Sequence, residues 1–131
     1  MRDELLFDAS SIINLCGRGM VDILVRGYTL DLALYEIGNA VWKHVYVFRR
    51  VSLEDSLTVL DALVTMLGKM KCLKVESPLE VLKLAVEEGL TFYDASYLYM
   101  ALKNGMILIT DDADLRKVAR KYVKVFSSRE L

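Results

Sequence analysis

The stretch Met106-Ile107-Leu108-Ile109-Thr110-Asp111-Asp112-Ala113 decides the fold. Its four apolar residues follow the helix stop Asn104-Gly105, so they read as a short strand buried on both faces. Asp111 or Asp112 can cap the short basic helix that comes next, Ala113 to Lys121, and Val123 to Phe126 read as a last strand. The opposite end of the chain repeats the pattern. Leu5-Leu6-Phe7-Asp8-Ala9 reads as a buried strand closed by an acid, Ser10-Ser11 as a helix N-cap, and Ile12 to Cys16 as a helix that Gly17 stops. Between these ends, Met20 to Arg26 predicts a second short helix and Tyr28 to Asp31 a brief extended segment. Leu34, Ile37, Val41 and Val45 recur at helical spacing and predict one long helix from about Leu32 to Arg50. Ser52 with Asp55 opens another helix that runs to Gly68, forming a hairpin with the first. Cys72 to Val75 predicts a strand, Ser77-Pro78-Leu79-Glu80 a helix start, and Thr91 with Asp94 a capping box opening a helix through Tyr97 and Leu102. Short apolar strands alternating with helices specify an α/β protein, a mainly parallel central sheet with helices on both faces.

Composition bounds what such a domain can be. The chain has 131 residues, 54% hydrophobic and 27% charged, which suits one domain with a sizeable core and excludes a disordered chain. A net charge of −1 gives no bulk attraction to polyanions, so any nucleic acid must be held by a local site. The longest apolar run, Tyr97 to Leu102, is six residues, far below the roughly 20 that cross a bilayer. Met1-Arg2-Asp3-Glu4 shows no leader pattern, and the reading is cytoplasmic. Cys16 and Cys72 lack the spacing of a zinc or redox site and read as buried free thiols. His44 is the lone histidine, which confines histidine-based catalysis to one candidate and excludes a multi-histidine metal site. The chain has no Gln and three Asn, a scarcity of labile amides that suits a heat-adapted source. Seven Tyr, four Phe and one Trp leave apolar surface that a domain of this size covers with difficulty, which predicts self-association.

Four acids stand in apolar company: Asp8 at the end of the first strand, Glu36 within Leu32-Ala33-Leu34-Tyr35-Glu36-Ile37, Asp94 after Phe92-Tyr93, and Asp112 after the strand at 106–109. Each also has a structural role open to it. Asp8 suits a strand end or cap, Glu36 a solvent face, Asp94 a capping box and Asp112 an N-cap. Taken together they fall at strand ends or helix starts along one edge of a sheet, where open α/β folds build their sites. An ionised carboxylate in an apolar setting is costly unless paired or metal-bound. No matching stock of embedded Lys or Arg is present, so a divalent cation is the economical partner, and hard oxygen donors favour Mg²⁺ or Mn²⁺.

The ordered segments Leu6-Phe7-Asp8-Ala9-Ser10, Glu36-Ile37-Gly38-Asn39-Ala40, Phe92-Tyr93-Asp94-Ala95 and Leu108-Ile109-Thr110-Asp111-Asp112-Ala113-Asp114-Leu115 resemble the PIN-domain family, most of all the VapC-type toxins of toxin–antitoxin pairs. The resemblance covers almost the whole chain, and it implies a single PIN-like domain over residues 1–131. It implies Mg²⁺- or Mn²⁺-dependent cleavage of RNA, with Asp8, Glu36, Asp94 and Asp112 as catalytic and metal-binding acids. Ser10 matches the small hydroxyl residue two after the first acid, Asn39 the polar residue three after the glutamate, and Thr110 the start of the Thr-x-Asp pattern. Asp111 and Asp114 leave the fourth position ambiguous. The resemblance further implies a small antitoxin partner (VapB-like), an RNA substrate, a homodimer and no membrane. Lys43, seven residues after Glu36 on the same helical face, is placed to meet substrate. Arg116 and Arg120, in a cluster with Lys117, Lys121 and Lys124, suit flanking phosphates or a solvated basic helix end. A catalytically weak PIN-like module that binds RNA or protein is the alternative. An aspartyl-phosphate phosphatase would carry a second acid where Ser10 stands, a receiver domain would pair an acid with Asp8, and no phosphate-cradling glycine loop occurs.

Overall fold

A computed structural model describes residues 3–131; Met1 and Arg2, with the absence of a leader read from them, lie outside the described residues. Five strands form one parallel sheet: β1 (Leu5–Phe7), β2 (Tyr28–Leu30), β3 (Lys71–Leu73), β4 (Ile107–Ile109) and β5 (Val125–Phe126), in the order β3-β2-β1-β4-β5. The helices are α1 (Ala9–Gly17), α2 (Val21–Val25), α3 (Ala33–Trp42), α4 (Leu53–Leu67), α5 (Pro78–Glu88), α6 (Phe92–Asn104) and α7 (Ala113–Ala119).

Alternation along the strands sorts the core into two layers. Leu6, Leu30 and Leu108 pack with Leu84, Tyr97, Leu98 and Leu115 of the α5, α6 and α7 layer. Phe7 and Ile109, their neighbours in sequence, point the other way and pack with Ile12, Ile37, Leu63 and Met66 of the α1, α3 and α4 layer. The sheet is therefore covered on both faces, as the apolar strands require. Gly27 is needed where α2 meets β2: a methyl group there would collide with the Phe7 ring.

Chain order leaves β1 in the middle. The chain builds outward from β1 to β3, then crosses to β4 on the other side of β1. Phe7 and Ile109 are in register, so the residues just beyond them, Asp8 and Thr110, emerge side by side at the switch in direction where such sheets bind ligands.

Several expectations require correction. Asp8 rather than Ser10-Ser11 caps α1, its carboxylate accepting from the Ser11 amide, while the Ser11 hydroxyl is drawn into the sheet by the carbonyls of Asp8 and Ile109. The long helix predicted to Arg50 keeps α-geometry only to Trp42. Lys43–Val47 form a wider π turn, with the Phe48 amide bonded to the Lys43 carbonyl. Val45, Tyr46 and Val47 are poor α-formers with nothing buried to hold them, which is the physical reason. Ser77 makes no side-chain cap, and α5 starts from Pro78 at its first turn. Cys16 is half-buried and Cys72 exposed, because β3 is an edge strand. Among the described residues, no helix is long and apolar enough to cross a membrane.

Candidate functional site

Asp8 sits at the carboxyl end of β1, only 5% exposed, and a set of donors holds it. Ser10 Oγ donates to Asp8 Oδ1 at 2.7 Å and the Ser11 amide to the same oxygen at 2.9 Å, while the Thr110 hydroxyl donates to Oδ2. Burial nonetheless outweighs these bonds and raises the Asp8 pKa. Thr110, fully buried beyond β4, also accepts from the Asp112 amide at 3.1 Å, so one hydroxyl fixes both the first acid and the turn that presents the fourth.

Glu36 comes from α3 on the other side of the cleft. Its Oε1 accepts from the Tyr97 hydroxyl at 2.9 Å, and Tyr97 rises from α6, so this bond spans the two helical layers over the sheet's edge. Burial, then the charges of Asp8 and Asp94, push the Glu36 pKa up to about 7 despite that bond. Asp94 lies in the first turn of α6. Thr91 Oγ1 accepts from the Asp94 amide at 3.1 Å, yet the Thr91 amide does not donate to the Asp94 carboxylate, so half of the expected capping box is missing. Burial, then Asp112, Asp8 and Asp114, push the Asp94 pKa up to about 6. Asp112 caps α7 through one oxygen, Oδ1, which accepts from the amides of Asp114 and Leu115 at 2.9 and 3.1 Å. Its second oxygen accepts no hydrogen bond from the described residues. Four carboxylates from four different elements thus face one another closely enough to feel each other's charge. The ion pairs among the described residues, Lys83–Glu80 and Lys121–Glu88, lie elsewhere.

The structure distinguishes the three neighbouring acids at 111–114. Burial opposes ionisation of Asp111, but bonds from Asn14 Nδ2, the Ser128 hydroxyl and the Ser128 amide, each 2.6 Å, outweigh it and lower the pKa. Asp111 is occupied in tying α1 to the C-terminal turn, and its amide donates to Ser10 Oγ at 3.0 Å. Asp114 is exposed and near enough to Asp94 to raise its pKa. Asn39 and Lys43 share a cleft of about 680 Å³ with Glu36, Tyr35 and Tyr93. Arg116 reaches back to the Thr110 carbonyl at 3.3 Å, whereas Arg120 lies at the end of α7 and exposed. Sequence reading missed Tyr97 as a polar partner, counting it as helical core. The available signal was its place three residues after Asp94, on the same face of α6.

The donor set suits a hard divalent ion, being all carboxylate oxygen with uncompensated charge. Among the described residues, however, no three such groups stand together as a ready-made ligand set.

The PIN domain profile matches residues 6–121, spanning all four acids. The chain belongs to the PIN-domain family. Among solved structures, the crystal structure of PAE2754 from Pyrobaculum aerophilum is 35% identical and superposes with a TM-score of 0.84 over 99% of this chain and 94% of that one. Exonuclease VapC9 of the same organism is 45% identical over 87 residues, 66% of this PIN domain chain and 62% of its own length. Ribonuclease VapC3, also from Pyrobaculum aerophilum, is 41% identical over 99 residues, 72% of this chain and 70% of its own. The match to VapC9 therefore spans less than two thirds of that relative.

Proposed function

We propose that this PIN domain is a metal-dependent ribonuclease that hydrolyses phosphodiester bonds endonucleolytically, as the toxin of a VapBC-type pair acting in the cytoplasm. The observation that carries the reading is the convergence of Asp8, Glu36, Asp94 and Asp112, none of them ion-paired to a lysine or arginine among the described residues, with burial and mutual repulsion raising the pKa values of Glu36 and Asp94. The names of VapC9 and VapC3 support the class of reaction.

Asp8, Asp94, Asp112 and Glu36 would hold Mg²⁺ or Mn²⁺. Such an ion supplies Lewis acidity at a phosphoryl oxygen and acidifies a water. The chain's own contribution is positioning. Ser10 and Thr110 lock the Asp8 carboxylate in one orientation, and Tyr97 fixes Glu36 Oε1, leaving Oε2 to orient a water or a ligand. Without the ion, burial and the charges of Asp8 and Asp94 hold the Glu36 pKa at about 7, a penalty on its charged form that a bound cation would relieve. Lys43 and Asn39 line the cleft beside Glu36, and Arg116, held against the Thr110 carbonyl, and Arg120, exposed at the end of α7, are the proposed phosphate contacts. Asp111 supports the site through Ser10, and Asp114 through the charge it adds beside Asp94.

A VapB-like antitoxin and a second copy of the chain are the protein partners of this reading. Apolar surface for them is present: a groove of about 600 Å³ between α1, α2 and α4, lined by Ile13, Val21, Val59 and Met66, and the exposed stripe Leu79, Leu82 and Val86 on α5.

The test is cleavage of a circular and a linear RNA of the same sequence in Mn²⁺, with calorimetric titration of the ion. Cutting of both, lost in chelator, supports the reading. Cutting of the linear form alone would favour the end-trimming that the name of VapC9 suggests. Saturable RNA binding with no cutting would leave the catalytically weak module.

A further inference from the structure

From Ile37 to Leu53 the chain contains no acid, while Lys43, Arg49 and Arg50 are interleaved with Trp42, Tyr46 and Phe48. In a chain of net charge −1 this is a local concentration of positive charge. The rings face outward: Trp42 is 48% exposed, Tyr46 62% and Phe48 49%. Trp42 and Tyr46 stack with centroids 5.5 Å apart and planes 16° from parallel. The Arg49 guanidinium lies 5.7 Å from the Tyr46 centroid and that of Arg50 4.9 Å from the Phe48 centroid, so both cations rest on rings instead of carboxylates. Arg49 holds φ at 51°, the only non-glycine among the described residues in the left-handed region, a disfavoured conformation that puts its side chain beside Tyr46. The segment also continues the helix that lines the cleft beside Glu36, Lys43 belonging to both.

We propose that the turn from Trp42 to Arg50 is a platform for single-stranded RNA, where a base stacks on the Trp42–Tyr46 pair and Lys43, Arg49 and Arg50 take the adjoining phosphates. The proposal rests on the ribonuclease reading of the cleft and assigns where the strand lies beyond it. Ten residues separate Glu36 from Tyr46, about 15 Å along a helix. That places the platform a few nucleotides along an extended single strand from Glu36. Alternating cations and exposed rings suit a strand that offers phosphates and unpaired bases together. A symmetric contact with a second copy would set the same positive charges against themselves.

Trp42 is the sole tryptophan, so its emission reports the platform directly. A 12-mer oligoadenylate titrated into the protein in EDTA should quench that emission saturably, and duplex RNA of equal length should not. Tyr46→Ala should weaken binding roughly tenfold, the loss of one stacked base. Arg49→Gly with Arg50→Ala should lower the slope of log affinity against log salt by about 1.4, for two phosphates on a single strand. Arg49→Gly relieves a backbone constraint, so this arm holds even if Tyr46→Ala fails to fold. Saturable binding of end-labelled RNA with no change in Trp42 emission overturns the proposal. So does an emission change that follows protein concentration alone, accompanied by a dimer in light scattering that Tyr46→Ala dissolves. Quenching without cleavage in Mn²⁺ would refute the ribonuclease reading and keep the platform, whereas cleavage without quenching would do the reverse.

Discussion

Asp94→Asn separates the two roles open to the third acid. If the carboxylate works as a cap, the substitution should cost about 0.5–1 kcal/mol. The structure points the other way, because Thr91 accepts from the Asp94 amide and that bond survives in Asn, while the carboxylate itself caps nothing. A pKa raised from 3.8 to about 6 corresponds to about 3 kcal/mol for a fully buried charge, which solvent access to this half-buried group reduces to about 1 kcal/mol. In chelator at pH 7.5, Asp94→Asn should therefore melt about 3 °C above wild type. The sign follows from the direction of the shift: the charge penalty is absent below the unfolded pKa and complete once pH has risen through about 6. The gain should vanish by pH 4. In Mn²⁺ the same variant should lose RNA cleavage by orders of magnitude and lose most of the stabilisation by the ion. Differential scanning calorimetry at both pH values, with a gel assay of cleavage, reads all of these. An apo melting point lowered by 2 °C or more, with cleavage at the wild-type rate, would refute the reasoning.

Without metal, wild-type stability should rise as pH falls from about 7.5 toward 5, since Glu36 and Asp94 bind protons more tightly folded than unfolded, and saturating Mg²⁺ should flatten the trend; a melting point that falls steadily over this range contradicts it. Thr110→Val keeps the volume but removes the donor to Asp8 and the acceptor for the Asp112 amide, so it should cost about 2–3 kcal/mol by denaturant melts and depress cleavage; a neutral result would show that the buried hydroxyl holds neither acid. Asp111→Ala should lose about 1–3 kcal/mol of stability yet keep cleavage, whereas Asp112→Asn should lose cleavage; the opposite pattern in paired melting and gel assays would reverse the assignment of these neighbours.

Much of the architecture is legible because its signals are local. Ile107-Leu108-Ile109 and Leu5-Leu6-Phe7 are too short and too apolar for anything but central parallel strands, and Gly89 and Gly105 stop their helices in the left-handed conformation their positions suggest. The π turn was not legible. Helical periodicity runs through Val45, but nothing in the pattern of one segment tells whether a neighbour will bury it. In the site, Asp8, Glu36, Asp94 and Asp112 stood out through apolar flanks alone. Their supports did not, since the bonds from Tyr97 to Glu36 and from Thr110 to Asp8 join residues 61 and 102 apart in the chain. Distinguishing Asp111 from Asp112 likewise required Ser128, whose proximity only the folded chain reveals.

The separation of Asp8 from Thr110 has a consequence for synthesis on the ribosome. β1 is made before its partner β4, and the hydroxyl that holds Asp8 follows 102 residues after it. Until then Asp8 is a strand-end carboxylate with one side of its strand open, and contacts so distant in sequence form last. The nascent polypeptide can pair β1 with β2 and β2 with β3 while the surroundings of Asp8 are still incomplete. A chain cut off before β4 would therefore leave Asp8 without the hydroxyl that orients it, whatever its other strands had formed.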